Sequence, residues 1–180
     1  MPEMVFNYMK NIKNLFGILA LVIAFATASA AQNVSLPSLD GGTVSLEAQR
    51  GKVVVLAIGA SWLPLSKQQA VIVNKLSKKY SPSDVVIYFV TTDSANAKSK
   101  NFADDAAVRG FATRNKISAT ILRDADGATT MKRFKVDQLP SFVVIDKDGN
   151  PSEPYAGLDP DAAATDNLAN SIAQAIDRLL

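Results

Sequence analysis

The chain contains no cysteine and no histidine. Without cysteine there are no disulfide staples, no thiolate nucleophile, and no cysteine-ligated zinc or iron-sulfur cluster. Without histidine the commonest remaining transition-metal ligand is gone, and so is the usual base that activates a serine. Positive charge is only in small excess: the formal net charge is +2 over 180 residues, and no basic stripe is interleaved with aromatic residues. Long-range attraction to nucleic acid is therefore not indicated. What the chain does have is apolar residues, 48% of the total, enough for the core of one domain.

The first long apolar run is Leu15 to Phe25, preceded by Lys10 and Lys13 and followed by Ala28-Ser29-Ala30. A basic start, a short apolar stretch and a small-x-small ending outline a signal peptide over residues 1–30, with residues 31–180 as the mature domain. The run falls short of the roughly 20 residues of a comfortable membrane span, so no stable span is expected after cleavage. The alternative is an uncleaved signal anchor. Either way the expectation is export to the periplasm or the extracellular space. No cysteine follows the cleavage point, so no lipid anchor is expected.

Beyond it, Val34 to Leu46 reads as a hairpin turning at Asp40-Gly41-Gly42. Val53 to Ile58 and Val85 to Thr91 are apolar runs of the kind a strand shows when both its faces are covered. Ser66 to Tyr80 places Ile72, Val73, Leu76 and Tyr80 at helical spacing and leaves Lys67, Lys75, Lys78 and Lys79 for solvent. A second helix is predicted between Ala97 and Asn115, a short strand over 119–123 and a short helix over 128–135. Asp124-Ala125-Asp126-Gly127 lacks the loop spacing and terminal glutamate of a calcium-binding hand, and no metal site is assigned. Phe142 to Ile145 reads as a strand turned by Asp146 to Gly149, with Glu153 to Gly157 returning beside it. Asp159-Pro160 is read as the start of the last helix. The order is that of a three-layer α/β arrangement with a mixed sheet flanked by helices and an N-terminal hairpin extension.

One segment stands where α/β folds place their sites, at the carboxyl end of a strand and the start of a helix. It is Gly59-Ala60-Ser61-Trp62-Leu63-Pro64-Leu65-Ser66-Lys67. With its flanks it resembles the Trp-Cys-x-x-Cys segment of thioredoxin-fold thiol-disulfide oxidoreductases, most closely the extracytoplasmic TlpA/ResA-type redoxins. On that resemblance Trp62 stands at the tryptophan, Leu63 at the first cysteine, Pro64 and Leu65 at the spacer, and Ser66 at the second cysteine. Gln69 stands where family members often carry a glutamate. The segment Val136 to Gly149 is similar to the thioredoxin-fold stretch in which a cis-proline precedes a strand and hairpin, so the resemblance implies a cis bond at Pro140.

The departures from that pattern decide the chemistry. Disulfide exchange needs an attacking thiolate and a resolving thiol, peroxidase chemistry of the peroxiredoxin kind also needs cysteine, and glutamine exchanges no proton near neutral pH. No catalytic residue and no cofactor is expected. In the resembled fold the turn and the cis-proline loop form an apolar groove, which here would be lined by Trp62, Leu63, Pro64, Leu65, Leu139 and Pro140. One reading is a non-catalytic module binding a protein or peptide of the cell envelope through that groove. Others remain open: Leu63 and Leu65 turned inward as core with Ser66 as an N-cap; a structural envelope protein using its outer helices; a small-anion or glutathione-like site at the Ser61–Ser66 helix N-terminus.

Overall fold

The computed structural model describes residues 34–180; the signal-peptide reading of residues 1–30 lies outside them. Residues 34–180 fall within a single unit. Its centre is a four-stranded sheet with spatial order β5-β4-β3-β6. Strands β3 (Val53–Gly59), β4 (Val85–Thr91) and β5 (Thr120–Arg123) run parallel, and β6 (Ser141–Ile145) is antiparallel to β3. The mixed sheet follows from the connections: long crossovers carry the chain between parallel strands. A separate hairpin pairs β1 (Ser35–Pro37) with β2 (Thr43–Ser45) around Gly41 and Gly42, whose φ values of 101° and 73° suit glycine.

Side-chain alternation along β3 explains its unbroken apolar run. Val53, Val55 and Ala57 enter one core, whereas Val54, Leu56 and Ile58 enter the other. The first core is closed by helices α1 (Ser66–Lys79), α2 (Asp105–Arg114) and α4 (Ala162–Asp177), through Ile72, Val73, Leu76, Val108, Phe111, Ile172 and Ile176. The second is closed by hairpin residues Val34 and Leu36, by Leu46, and by Phe134 and Val136 around the one-turn helix α3 (Thr130–Arg133). The result is a three-layer α/β thioredoxin-like fold.

Four boundaries differ from the sequence reading. Helix α2 begins at Asp105, not near Ala97, because Ser94, Asn96 and Ser99 accept backbone N–H bonds and hold 94–102 in turns; Asp104 then caps the helix by accepting from the Ala107 N–H at 2.8 Å. Helix α3 covers only Thr130–Arg133, ending before Lys135, which has a φ of 54°. Helix α4 is capped by Asp161, which accepts from the Ala164 N–H at 2.9 Å, whereas Asp159 accepts from the Asp161 N–H one step earlier. The segment Glu153–Gly157 is not a regular strand. Tyr155 exchanges two bonds with Phe142, and Pro151 bridges Ile145, but Pro151 and Pro154 bring no N–H to extend a ladder.

The turn after β6 is built on Asp146. Burial pushes its pKa up, but hydrogen bonds from the Asn150 side chain and from the N–H groups of Asn150, Asp148 and Gly149 outweigh burial and hold it below the usual carboxylate value. A depressed native pKa stabilises the fold above the unfolded value of about 3.9 and is lost as pH falls through the native value. Acid titration of unfolding should therefore show a steeper loss below about pH 4 in the parent than in Asp146→Ala. In the first core, Phe89 packs against Phe111 in a tilted pair, centroids 5.8 Å apart and ring planes 40° apart. Phe89→Ala is expected to cost about 3–5 kcal/mol, read as a lower urea midpoint at unchanged slope.

Candidate functional site

Strand β3 ends inside the protein, with Gly59 and Ala60 both buried. From there the chain turns through Ser61–Leu65, closed by Leu63 N–H to Ala60 O (3.2 Å) and Ser66 N–H to Leu63 O (3.1 Å), and enters α1. Trp62 projects outward with half its surface exposed, and Pro64 is exposed as well. Leu63 and Leu65 are half-buried, and Leu65 packs against the first core. Leu139 is half-buried against the second core, and Pro140 is buried behind a cis Leu139–Pro140 bond.

Ser66 does not cap its helix. It is fully buried as the first helical residue, and its hydroxyl donates back to Ala60 O at 2.6 Å; the N-cap position belongs to Leu65, which offers no side-chain acceptor. A hydroxyl spent in this way has neither the base nor the exposure a nucleophile needs.

Gln69, one turn further along α1, is also fully buried. Its Nε2 donates to Ile58 O and to Ser141 O, each at 3.0 Å. A single side chain thus reaches both the end of β3 and the residue that follows Pro140. Its Oε1 receives no donor among the described residues and occupies the space above Gly59, where an added Cβ would lie 2.2 Å from it.

Reading the sequence alone missed a further set of residues at the same end of the sheet. Asp93 is fully buried and accepts from the Ser61 N–H (3.0 Å to Oδ2), the Ser61 hydroxyl (2.7 Å to Oδ1) and the Thr91 hydroxyl. Thr92 places its N–H (2.7 Å) and hydroxyl (3.1 Å) on Gly59 O. Asp124 accepts from the N–H and hydroxyl of Thr130 and from the Thr129 N–H. The signal was positional: Thr91-Thr92-Asp93 follows an apolar run directly, at the carboxyl end of a strand. This network also corrects the anion-site reading. The Ser61 N–H and hydroxyl already meet the Asp93 carboxyl and the Ser66 hydroxyl meets Ala60 O, so the side-chain donors named for an anion have acceptors within the fold.

The fold and this arrangement define a class: a thioredoxin-type domain whose two sulfur positions hold leucine and a hydrogen-bonded serine. The Redoxin family matches residues 26–172, and the chain belongs to that family. Solved structures agree on the fold. A secreted Mycobacterium tuberculosis disulfide oxidoreductase homologous to E. coli DsbE is 22% identical, with a TM-score of 0.61 over 79% of this chain and 96% of that one. The exposed lipoprotein thioredoxin of Streptococcus pneumoniae is 21% identical, with a TM-score of 0.63 over 81% and 98%. A thiol-disulfide isomerase from Corynebacterium glutamicum is 17% identical, with a TM-score of 0.65 over 84% and 97%. No curated protein matches the chain at significant sequence similarity.

Two substitutions test the local geometry. Gly59→Ala drives a methyl into the Gln69 carboxamide and is expected to destabilise by about 1–3 kcal/mol in denaturant unfolding. Leu63→Cys/Ser66→Cys places thiols at the ends of a turn whose Cα atoms lie within about 7 Å, the span a disulfide requires. The double variant is expected to form an internal disulfide on oxidation, seen by mass, and to reduce insulin above the parent's background.

Proposed function

We propose that this is a redox-inactive redoxin of the cell envelope that binds an extended protein or peptide segment between the Ser61–Leu65 turn and the cis-proline loop. The observation that carries the reading is at Leu139. Among the described residues nothing bonds its N–H or C=O, although the residue is half-buried and lies two positions before Ser141, whose carbonyl Gln69 holds. An unpaired N–H and C=O on one residue suit an added extended strand, with apolar contacts from Trp62, Leu63 and Pro64 supplying affinity. The chemistry of the family is absent from this reading because no sulfur is present to form a mixed disulfide.

Export rests on the outline of residues 1–30 and on relatives described as secreted or exposed. Among the described residues no helix is long and apolar enough to cross a membrane. Fractionation with N-terminal sequencing tests this part: the reading expects an envelope protein beginning at Ala31, and a cytoplasmic, uncleaved chain overturns it.

A second reading, a structural partner contact on the outer helices, has one observation in its favour. A cleft of about 230 Å³ lies between α1 and α4, lined by Lys67, Gln68, Val71 and Pro160, with Val71 45% exposed. The two are separated by titrating carboxymethylated insulin B chain, an extended thiol-free probe. Trp62→Ala is expected to weaken binding roughly tenfold or more, as removal of a central aromatic anchor does, while Val71→Asp leaves it unchanged. The opposite pattern supports the outer cleft. Equal binding by the parent and Trp62→Ala removes the groove from consideration.

A further inference from the structure

We infer that Gln69 is the positioning residue of the groove, a neutral clamp that fixes the cis-proline loop to the end of β3. The inference deepens the groove reading and rests on it for the binding readout alone. Ile58 and Ser141 face each other as the last paired residues of the β3–β6 ladder. Beyond that rung the strands part, one toward the Trp62 turn and the other toward Pro140. Gln69 sends one N–H to each of the two carbonyls, so the rung at the mouth of the groove is tied to helix α1 as well as to itself.

The residue type matters because of what an acid would do there. An ionised glutamate in the same pose would set two acceptor oxygens against two carbonyl oxygens, and a protonated one would bring a single donor. The groups facing the carboxamide, the Ile58 and Ser141 carbonyls and Gly59, do not titrate; of the two buried carboxyl groups at this end of the sheet, Asp93 is bound by Ser61 and Thr91 and Asp124 by Thr129 and Thr130. A position associated in the resembled family with glutamate thus becomes, in a chain without thiols, a fixed tie with no dependence on pH. Gly59 belongs to the same device, since its missing Cβ leaves room for the Gln69 carbonyl.

Hydrogen exchange by mass spectrometry on Gln69→Met and Gln69→Glu, beside titration with carboxymethylated insulin B chain, tests the clamp. Methionine fills a similar volume without donors. Loss of two hydrogen bonds is expected to speed exchange in residues 136–142 roughly tenfold and to weaken the probe by a similar factor, with residues 85–91 unchanged. For Gln69→Glu, burial among acceptors raises the carboxyl pKa above its unfolded value. Its stability should therefore be closest to the parent's at acid pH and decline as pH rises through that raised value, while the parent-minus-variant difference is flat for Gln69→Met. Parental exchange in 136–142 for Gln69→Met, or an equal acceleration across the whole sheet, overturns the clamp. If the parent itself does not bind the probe, the groove reading fails and the exchange data alone decide the clamp.

Discussion

The end of β3 imposes the constraint on which the site is built. The chain must leave a sheet buried on both faces, and its carbonyls come out into protein and not into water. Three in succession receive side-chain donors from two elements, helix α1 and the loop after β4: Ile58 O from Gln69, Gly59 O from Thr92 and Ala60 O from Ser66. Unmet acceptors at this depth would each cost on the order of 1–3 kcal/mol. Satisfying them draws α1 and the loop after β4 to one point, and the second N–H of Gln69 adds Ser141 O beside the cis-proline, so that the position of the Trp62 turn follows from hydrogen-bonding needs before any ligand is considered.

Much of this was legible in the chain itself. Strands β3 and β4 and helix α1 follow from unbroken or 3.6-residue apolar patterns, which survive because their burial leaves few alternatives. The redoxin resemblance and the cis bond at Pro140 were carried by short motifs around Trp62 and Pro140. What could not be read were the polar details. Ser66 looks like an N-cap by type, yet its rotamer is set by Ala60 O, a partner defined only once the turn has closed. Asp159 and Asp161 are equally good caps on paper, and two residues decide between them. Asp93 is invisible as a site residue until β3 and β4 lie side by side, because its partners are 2 and 32 positions away.

The loss of sulfur has not left a damaged site. Leucine at 63 and serine at 66 sit in a turn whose hydrogen bonds are made, the buried Asp93 has three donors, and the carboxamide of Gln69 joins the end of β3 to the start of β6. On the proposed reading, recognition proceeds without turnover: a bound segment would leave by dissociation and not by exchange.

The hydroxyl of Ser66 on Ala60 O and the carboxamide of Gln69 on Ile58 O bear on evolutionary accessibility. Disulfide chemistry at this turn needs cysteine at both 63 and 66, with glutamate at 69 the residue family members often add, and each substitution alone is a disadvantage. A first cysteine at 63 would be an unpaired thiol, open to cross-linking with other chains in an oxidising compartment; cysteine at 66 would exchange a short O–H bond for a weak S–H donor; glutamate at 69 would bring a buried acid before there is a thiol for it to serve. The hydrogen bonds that complete the present site thus act as a ratchet, closing the one-step routes back to the chemistry of its relatives.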